Sequence, residues 1–359
     1  MSVRYVGVQW NRFKLVYDAL ILLSIGGFIW LFEHAVRAQL AGNDQISEPV
    51  RNMRAFGSAA FLLLSAILCI GPLARLNKRF VPLLYNRRHL GVMMCGIAIV
   101  HAQHVLGHYH AYSNVPKLVS LFSFDAAITR ASIPFQIAGA LALGILMLMA
   151  ATSHDFWQRF LGAKLWKSLH MSVYLAYALV VIHVGFGALQ IETHPLFSGL
   201  IIGSVALVCG LHLAAARVSS APDRKTPVWV EIAGTRYLDA GAALELPRDR
   251  ATPLCVPGAE RIAVIRHNDQ FSAIHGVCAH QGGPLYEGKV IDGCLTCPWH
   301  GWQYRPEDGC APAPFTERVI TYQIRLKGGR VLVDPRPLPP GTQVTPARLE
   351  QEDGHESAA

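Results

Sequence analysis

Six stretches of this sequence are each long and apolar enough to cross a hydrocarbon core, and all of them lie before about Val218. Such a crossing takes ~20 residues at about 1.5 Å of rise each. The runs fall at Tyr17 to Val36, Phe56 to Leu73, His89 to His110, Ile133 to Thr152, Trp166 to Leu189 and Leu196 to Val218. From Ser219 onward charge, Pro and Gly return to the content of a soluble domain. The averages of 52% apolar and 16% charged residues over 359 positions therefore hide two kinds of chain. The expected fold is a membrane all-α bundle of about six transmembrane helices followed by a small all-β domain. Residues 1–218 form the bundle, 219–226 a linker and 227–335 the β domain. The tail, 336–359, Pro-rich and then polar, is expected to be disordered. No cleaved signal peptide is expected, because no small-residue cleavage site follows the first run.

The net charge of +8 raises the question of nucleic acid. The basic residues answer it by their placement. With the N-terminus inside, the segments on that side carry Arg12, Lys14, Arg75, Lys78, Arg79, Arg87, Arg88, Lys164 and Lys167 among others, whereas the opposite side carries Arg37, Arg51, Arg54, Lys117 and Arg130. This bias predicts a multi-pass protein of a bacterial-type inner or plasma membrane with both termini cytoplasmic, a partner in membrane lipid and none in nucleic acid. Eight cysteines in that setting do not read as a disulfide framework. Cys69, Cys95 and Cys209 lie inside apolar runs, where cysteine serves as a small hydrophobe.

In the second half, Cys278-Ala-His280 is followed after sixteen residues by Cys297-Pro-Trp-His300. Two thiolates and two imidazoles are thus offered from two loops. A tetrahedral zinc site takes the same ligands, but its pairs are normally two cysteines two to four residues apart and two histidines three to five apart. Here each pair is mixed. Short β-like runs with Gly and Asp turns surround the pairs: Val228 to Ile232, Arg261 to Ile265, Val319 to Tyr322 and Val331 to Val333.

The two-loop signature resembles that of the Rieske [2Fe-2S] domain over roughly Pro227 to Asp334. The resemblance implies that Cys278 and Cys297 ligate one iron of a [2Fe-2S] cluster and that His280 and His300 ligate the outer iron. It further implies that Gly309 to Pro314 form a shielding proline loop. Rieske proteins of cytochrome bc complexes add a loop-tying disulfide and a serine donor to a bridging sulfide. Gly283, Trp299 and Trp302 stand at those positions here, and Tyr304 alone of the donors remains. With fewer donors the reduced cluster is less stabilised, which predicts a low, ferredoxin-type potential. Cys294 sits at no ligand spacing and reads as structural.

Histidine inside a spanning helix is costly and marks function. His101 lies fourteen residues after Arg87 on the third run, and His183 lies thirteen after His170 on the fifth. Alternate helices run the same way, so both histidines reach roughly 20 Å in and match in depth. Two separate interhelical hydrogen bonds would explain the match less well than two axial ligands. The pattern Arg-Arg-x-Leu-Gly to His101, with Leu-His170 to His183, resembles the ferric reductase-like transmembrane domain over roughly Tyr17 to Leu189. That resemblance implies a b-type haem held by His101 and His183, with His170 at a second haem or at the electron entry. His89 and His212 are the candidate partners of His170. His34, His104, His108, His110 and His194 cluster toward the opposite side and read as interfacial polar residues.

No Gly-x-Gly-x-x-Gly follows a strand, so a fused nicotinamide or flavin reductase is not expected. The chain reads as an electron-transfer oxidoreductase. A cytoplasmic reductase or ferredoxin is the expected donor, and a quinone or an outer-side protein the expected acceptor. A redox sensor, a membrane-anchored Rieske ferredoxin without haem, and reversed flow from quinol to a cytoplasmic oxidase remain alternatives. A Rieske oxygenase would need a further mononuclear-iron domain, for which the residues after Asp334 are too few.

Overall fold

The computed structural model describes residues 12–39, 47–84, 86–110, 114–122, 135–191, 195–224 and 226–349. The chain divides at Arg217 into two compact units. In the first, the apolar runs form helices α1 (Arg12–Gln39), α2 (Glu48–Leu76), α3 (Arg87–His108), α4 (Phe135–Ala151), α5 (Asp155–Met171), α6 (Val173–Phe186) and α7 (Pro195–Ser220). Five spans meet the length and hydropathy of a membrane crossing, Lys164–Gln190 being one span made of the end of α5 and all of α6. The fourth run, α4, has 17 residues and covers about 26 Å, slightly under a full hydrocarbon core.

Gly162, at φ 75°, breaks the helical path inside α5. Phe156, Trp157 and Phe160 lie before that break with rings in mutual contact and large exposed faces, a composition suited to the headgroup level. The bundle buries Phe61, Leu64, Leu68, Met94, Cys95, Leu146, Ala176, Tyr177 and Val208 against one another. It leaves Leu22, Leu23, Leu31, Leu148, Ile202 and Leu207 exposed, as helices facing lipid do.

The second unit carries eleven short strands among the described residues. They are β1 (Trp229–Ile232), β2 (Thr235–Ala242), β3 (Arg250–Leu254), β4 (Ile262–His267), β5 (Gln270–His275), β6 (Lys289–Ile291), β7 (Cys294–Thr296), β8 (Gln303–Tyr304), β9 (Ile324–Lys327), β10 (Arg330–Val333) and β11 (Ala347–Arg348). One antiparallel sheet runs β1-β2-β10-β9 and the other β11-β5-β4-β3-β6-β7-β8. The run Val319 to Tyr322 is no named strand, but it lies beside β5 through the amides of His275 and Tyr322. Between the sheets lie Leu238, Ile262, Phe271, Ile324, Val331 and Val333. Arg266 is 4% exposed, and its Nη1 donates to the carbonyls of Ala243, Leu244 and Leu246 at 3.0 to 3.1 Å, which pins the segment after β2.

The expectation of disorder from Arg336 onward is corrected as far as Leu349. The amide of Leu338 donates to Thr321 O at 3.0 Å, that of Val344 to Glu307 O at 2.8 Å, and β11 pairs with β5. Val344 and Ala347 are buried. A Pro-rich stretch lacks donors at its prolines, but here the remaining amides find carbonyls on the domain. The last ten residues lie outside the described ones. α7 runs to Ser220, two residues into the segment expected as linker. Arg261 hydrogen-bonds both Ser219 O and the Asp223 carboxylate and lies over the Tyr286 ring.

Candidate functional site

In the β domain the two Cys-His loops are closed by the same backbone device. In the loop between β5 and β6, the Cys278 amide donates to Gly283 O and the Gly282 amide donates to Cys278 O, both at 2.8 Å. In the loop between β7 and β8, the Cys297 amide donates to Trp302 O at 2.7 Å and the Gly301 amide to Cys297 O at 2.9 Å. Each turn needs left-handed backbone four residues after its cysteine, and Gly282 (φ 69°) and Gly301 (φ 71°) supply it.

The four side chains sort into like pairs. The thiols of Cys278 and Cys297 hydrogen-bond to each other and are both 2% exposed. The rings of His280 and His300 lie 5.4 Å apart between centres at 85°. His280 is stacked on Trp302 at 4.0 Å with its Nδ1 buried, and Phe315, which follows Pro314, packs on Trp302 in turn. Among the described residues no three Cys, His, Asp or Glu side chains converge on one point, as zinc would require. Two thiols to one metal and two imidazoles to a second is the donor set of a binuclear cluster completed by sulfides. The residues present fit that group.

Electrostatics agree with the pairing. Burial pushes the Cys278 thiol up, but donors from Cys297, the Tyr304 hydroxyl and the backbone of His280 and Gln281 outweigh it, so it lies below the ordinary thiol range. Cys297 is held well above that range by the bond to Cys278 and by burial. Tyr304 OH lies 3.4 Å from Cys278 Sγ. The loops carry no disulfide. Gly283 instead lets the first loop press on the second, since a Cβ there would stand 2.7 Å from Cys297 Sγ and 3.2 Å from the Trp299 ring.

In the bundle, His101 and His183 meet. Their ring centres are 6.1 Å apart at 80°. An imidazole nitrogen at about 2 Å on either side of a metal ion places the ring centres roughly 6 Å apart, which matches. His101 Nδ1 lies 2.9 Å from Met53 O and His183 Nδ1 2.9 Å from Phe135 O. A carbonyl can only accept, so Nδ1 carries the proton and Nε2 keeps the lone pair that a metal takes.

His170 stays apart from this pair. Its Nδ1 bonds Trp166 O at 3.0 Å, its ring stacks on Trp166 at 3.8 Å, and its buried Nε2 has no hydrogen-bond partner. Neither candidate partner reaches it. His89 Nδ1 is held by Asp18 at 2.8 Å, and His212 spends both nitrogens on Val208 O and Tyr174 OH. On the opposite side His110 is buried between Ser120 and Gln136, His104 packs on Phe56 and His108 on Tyr109. His194 lies outside the described residues. Gly57, Gly139, Asp18 and Trp166 carry no signal in the sequence, because what marks them is a neighbour on another helix or another turn.

Comparison with known proteins assigns each half. Residues 56–181 match the model of the ferric reductase like transmembrane component and residues 229–323 that of the Rieske [2Fe-2S] domain. The chain is 30% identical over 186 residues to the protein-methionine-sulfoxide reductase heme-binding subunit MsrQ of Klebsiella pneumoniae, covering 50% of this chain and 84% of that protein. It is 35% identical over 83 residues to the ferredoxin component of the alkene monooxygenase system of Xanthobacter autotrophicus, 23% of this chain and 68% of that one. It is 37% identical over 80 residues to chlorophyllide a oxygenase of Chlamydomonas reinhardtii, 22% of this chain but only 12% of that protein. The chain is therefore a membrane electron-transfer protein that belongs to the ferric reductase-like transmembrane family through its helices and to the Rieske [2Fe-2S] family through its β domain.

Proposed function

We propose that the chain passes electrons between a cytoplasmic donor and a quinone or outer-side acceptor. In this reading Cys278, Cys297, His280 and His300 hold a [2Fe-2S] cluster, and His101 and His183 hold a b-type haem. The observation that carries it is the presence, in one chain, of two separate sites that each present ligands in matched pairs. The relative named as a heme-binding subunit covers the histidine-bearing helices, which supports haem there. When bound, the two groups supply two one-electron carriers.

The chain's own residues do the rest. Tyr304 places a hydroxyl on the Cys278 sulfur, and Trp302, Phe315 and Ala311 keep water from that side of the loops. His300, half-buried beside the buried His280, is the edge that a soluble partner can approach. The carbonyls of Met53 and Phe135 orient the two imidazoles in the bundle. The positive-inside bias supports cytoplasmic termini, hence a donor such as a soluble reductase or ferredoxin. An optical and EPR spectrum of the detergent-solubilised protein before and after dithionite tests the reading. A reduced b-type Soret and α band with a rhombic Rieske signal is the expected result. A Rieske signal without haem would reduce the helices to an anchor, the ferredoxin alternative.

A further inference from the structure

His101 and His183 are held by two copies of one device. Met53 and Phe135, whose carbonyls take the Nδ1 protons, each precede their histidine by 48 positions. Four residues after each carbonyl stands a glycine, Gly57 and Gly139, directly beneath the imidazole. A Cβ on Gly57 would meet His101 Nδ1 at 2.9 Å, and one on Gly139 would meet His183 Nδ1 at 2.6 Å. A shift of 82 positions, which carries His101 onto His183, thus superposes carbonyl, glycine and histidine together. It also carries the buried Leu64 onto the buried Leu146, and Met94 and Cys95 onto Ala176 and Tyr177, all in one core. The same shift sets Arg88 opposite His170, so the repeat pairs no second imidazole with His170.

We infer that α2–α3 and α4–α6 are a structural repeat whose two glycines are positioning residues for a metal's axial imidazoles. Resting on the haem reading, the inference gives the glycines a specific role, which is to fix the two ring planes nearly perpendicular. A helix position with any side chain would push the ring off the carbonyl four residues earlier. With glycine, the ring lies against bare backbone and the Nδ1 bond to the carbonyl can form, with the Phe135 ring packed beside His183 as well. Two such cradles of the same build, one from each half, hold the planes at the observed 80°. Perpendicular imidazoles leave the two iron d orbitals that share the unpaired electron nearly equal in energy, and a ferric low-spin centre then gives a strongly anisotropic EPR signal dominated by one low-field feature. Parallel planes give an ordinary rhombic spectrum.

The test uses the full chain in detergent, oxidised, with Gly139→Ala, Gly57→Ala and Gly144→Ala. Gly144 lies on α4 too, but a Cβ there meets nothing within 4 Å, so it controls for altered helix propensity. The expected result is the strongly anisotropic signal in the parent and in Gly144→Ala. Gly57→Ala should move it toward a rhombic one, and Gly139→Ala further or to loss of the haem band, with the Rieske signal intact throughout. A rhombic haem signal in the parent, or a signal unmoved in both Gly57→Ala and Gly139→Ala, overturns the inference while the haem reading stands. Absence of any haem band from the parent overturns the haem reading itself.

Discussion

The two halves of this molecule both present candidate ligands in pairs, but they enforce the pairing over different lengths of chain. In the β domain each loop is closed by two backbone hydrogen bonds within six residues, and the sheets only bring the finished loops together. In the bundle no local turn positions His101 or His183. Each histidine is aimed by a carbonyl on a helix 48 positions away, and the space it needs is left by a glycine on that same helix. The first arrangement survives motion of the scaffold better than the second, because the bonds that close each loop lie within the loop itself. The second depends on helix-to-helix spacing at the scale of a single methyl group.

That contrast can be broken most directly by removing ligands one site at a time. Cys297→Ser should abolish the Rieske EPR signal and leave the haem bands, and His183→Ala should do the reverse. Loss of both signals in either variant would show that the sites fold as one. A smaller effect is expected from Arg266→Met, which leaves the carbonyls of Ala243, Leu244 and Leu246 without their donor inside the β domain. Denaturant unfolding read by the Rieske visible circular dichroism should lose roughly 3 kcal/mol, with haem bands unchanged at the midpoint.

Tyr304→Phe sharpens the comparison within the cluster loops. Removing the hydroxyl beside Cys278 Sγ destabilises the more negative reduced state by roughly 1 to 2 kcal/mol. Redox titration should then find a midpoint about 40 to 90 mV lower, again with the haem untouched.

The smallest effect concerns pH. His275, on the strand that leads into the first loop, has a pKa pushed below its ordinary value by burial, and its Nδ1 is buried without a partner. The unfolded chain takes up this proton below about 6.5 while the folded domain resists it, so domain stability should fall as pH drops through that value. His275→Asn should flatten the slope between about pH 7 and 5, and an unchanged slope would assign the acid sensitivity elsewhere.

Legibility followed the same division. The candidate cluster residues sit in one short window of sequence with flanking glycines that the turns require, so Cys278, His280, Cys297 and His300 stand out through the resemblance that their two-loop pattern carries. His101 and His183 were legible through depth, a single number along each helix. What decided between His89, His212 and His170 was not, because Asp18 and Tyr174 come from other helices and no periodicity announces them. The repeat was hidden for a related reason. Of the positions that the shift pairs in the core and at the histidines, only the glycine, one leucine and the histidine coincide in residue type, and lipid-facing helices accept almost any apolar residue between them. The tail defied expectation because composition records how many amides a Pro-rich stretch lacks, not whether the rest find carbonyls.

The contact of Gly283 with Cys297 and Trp299 has a bearing on where such a domain can work. A loop pair stapled by sulfur is only as closed as the surrounding thiol pool permits, and the glutathione of a cytosol would keep reopening a strained one. Closure by bare backbone under an indole ring is indifferent to that pool. It also puts a glycine where a loop-tying cysteine would stand, so that nascent protein cannot form that cystine before iron and sulfide arrive.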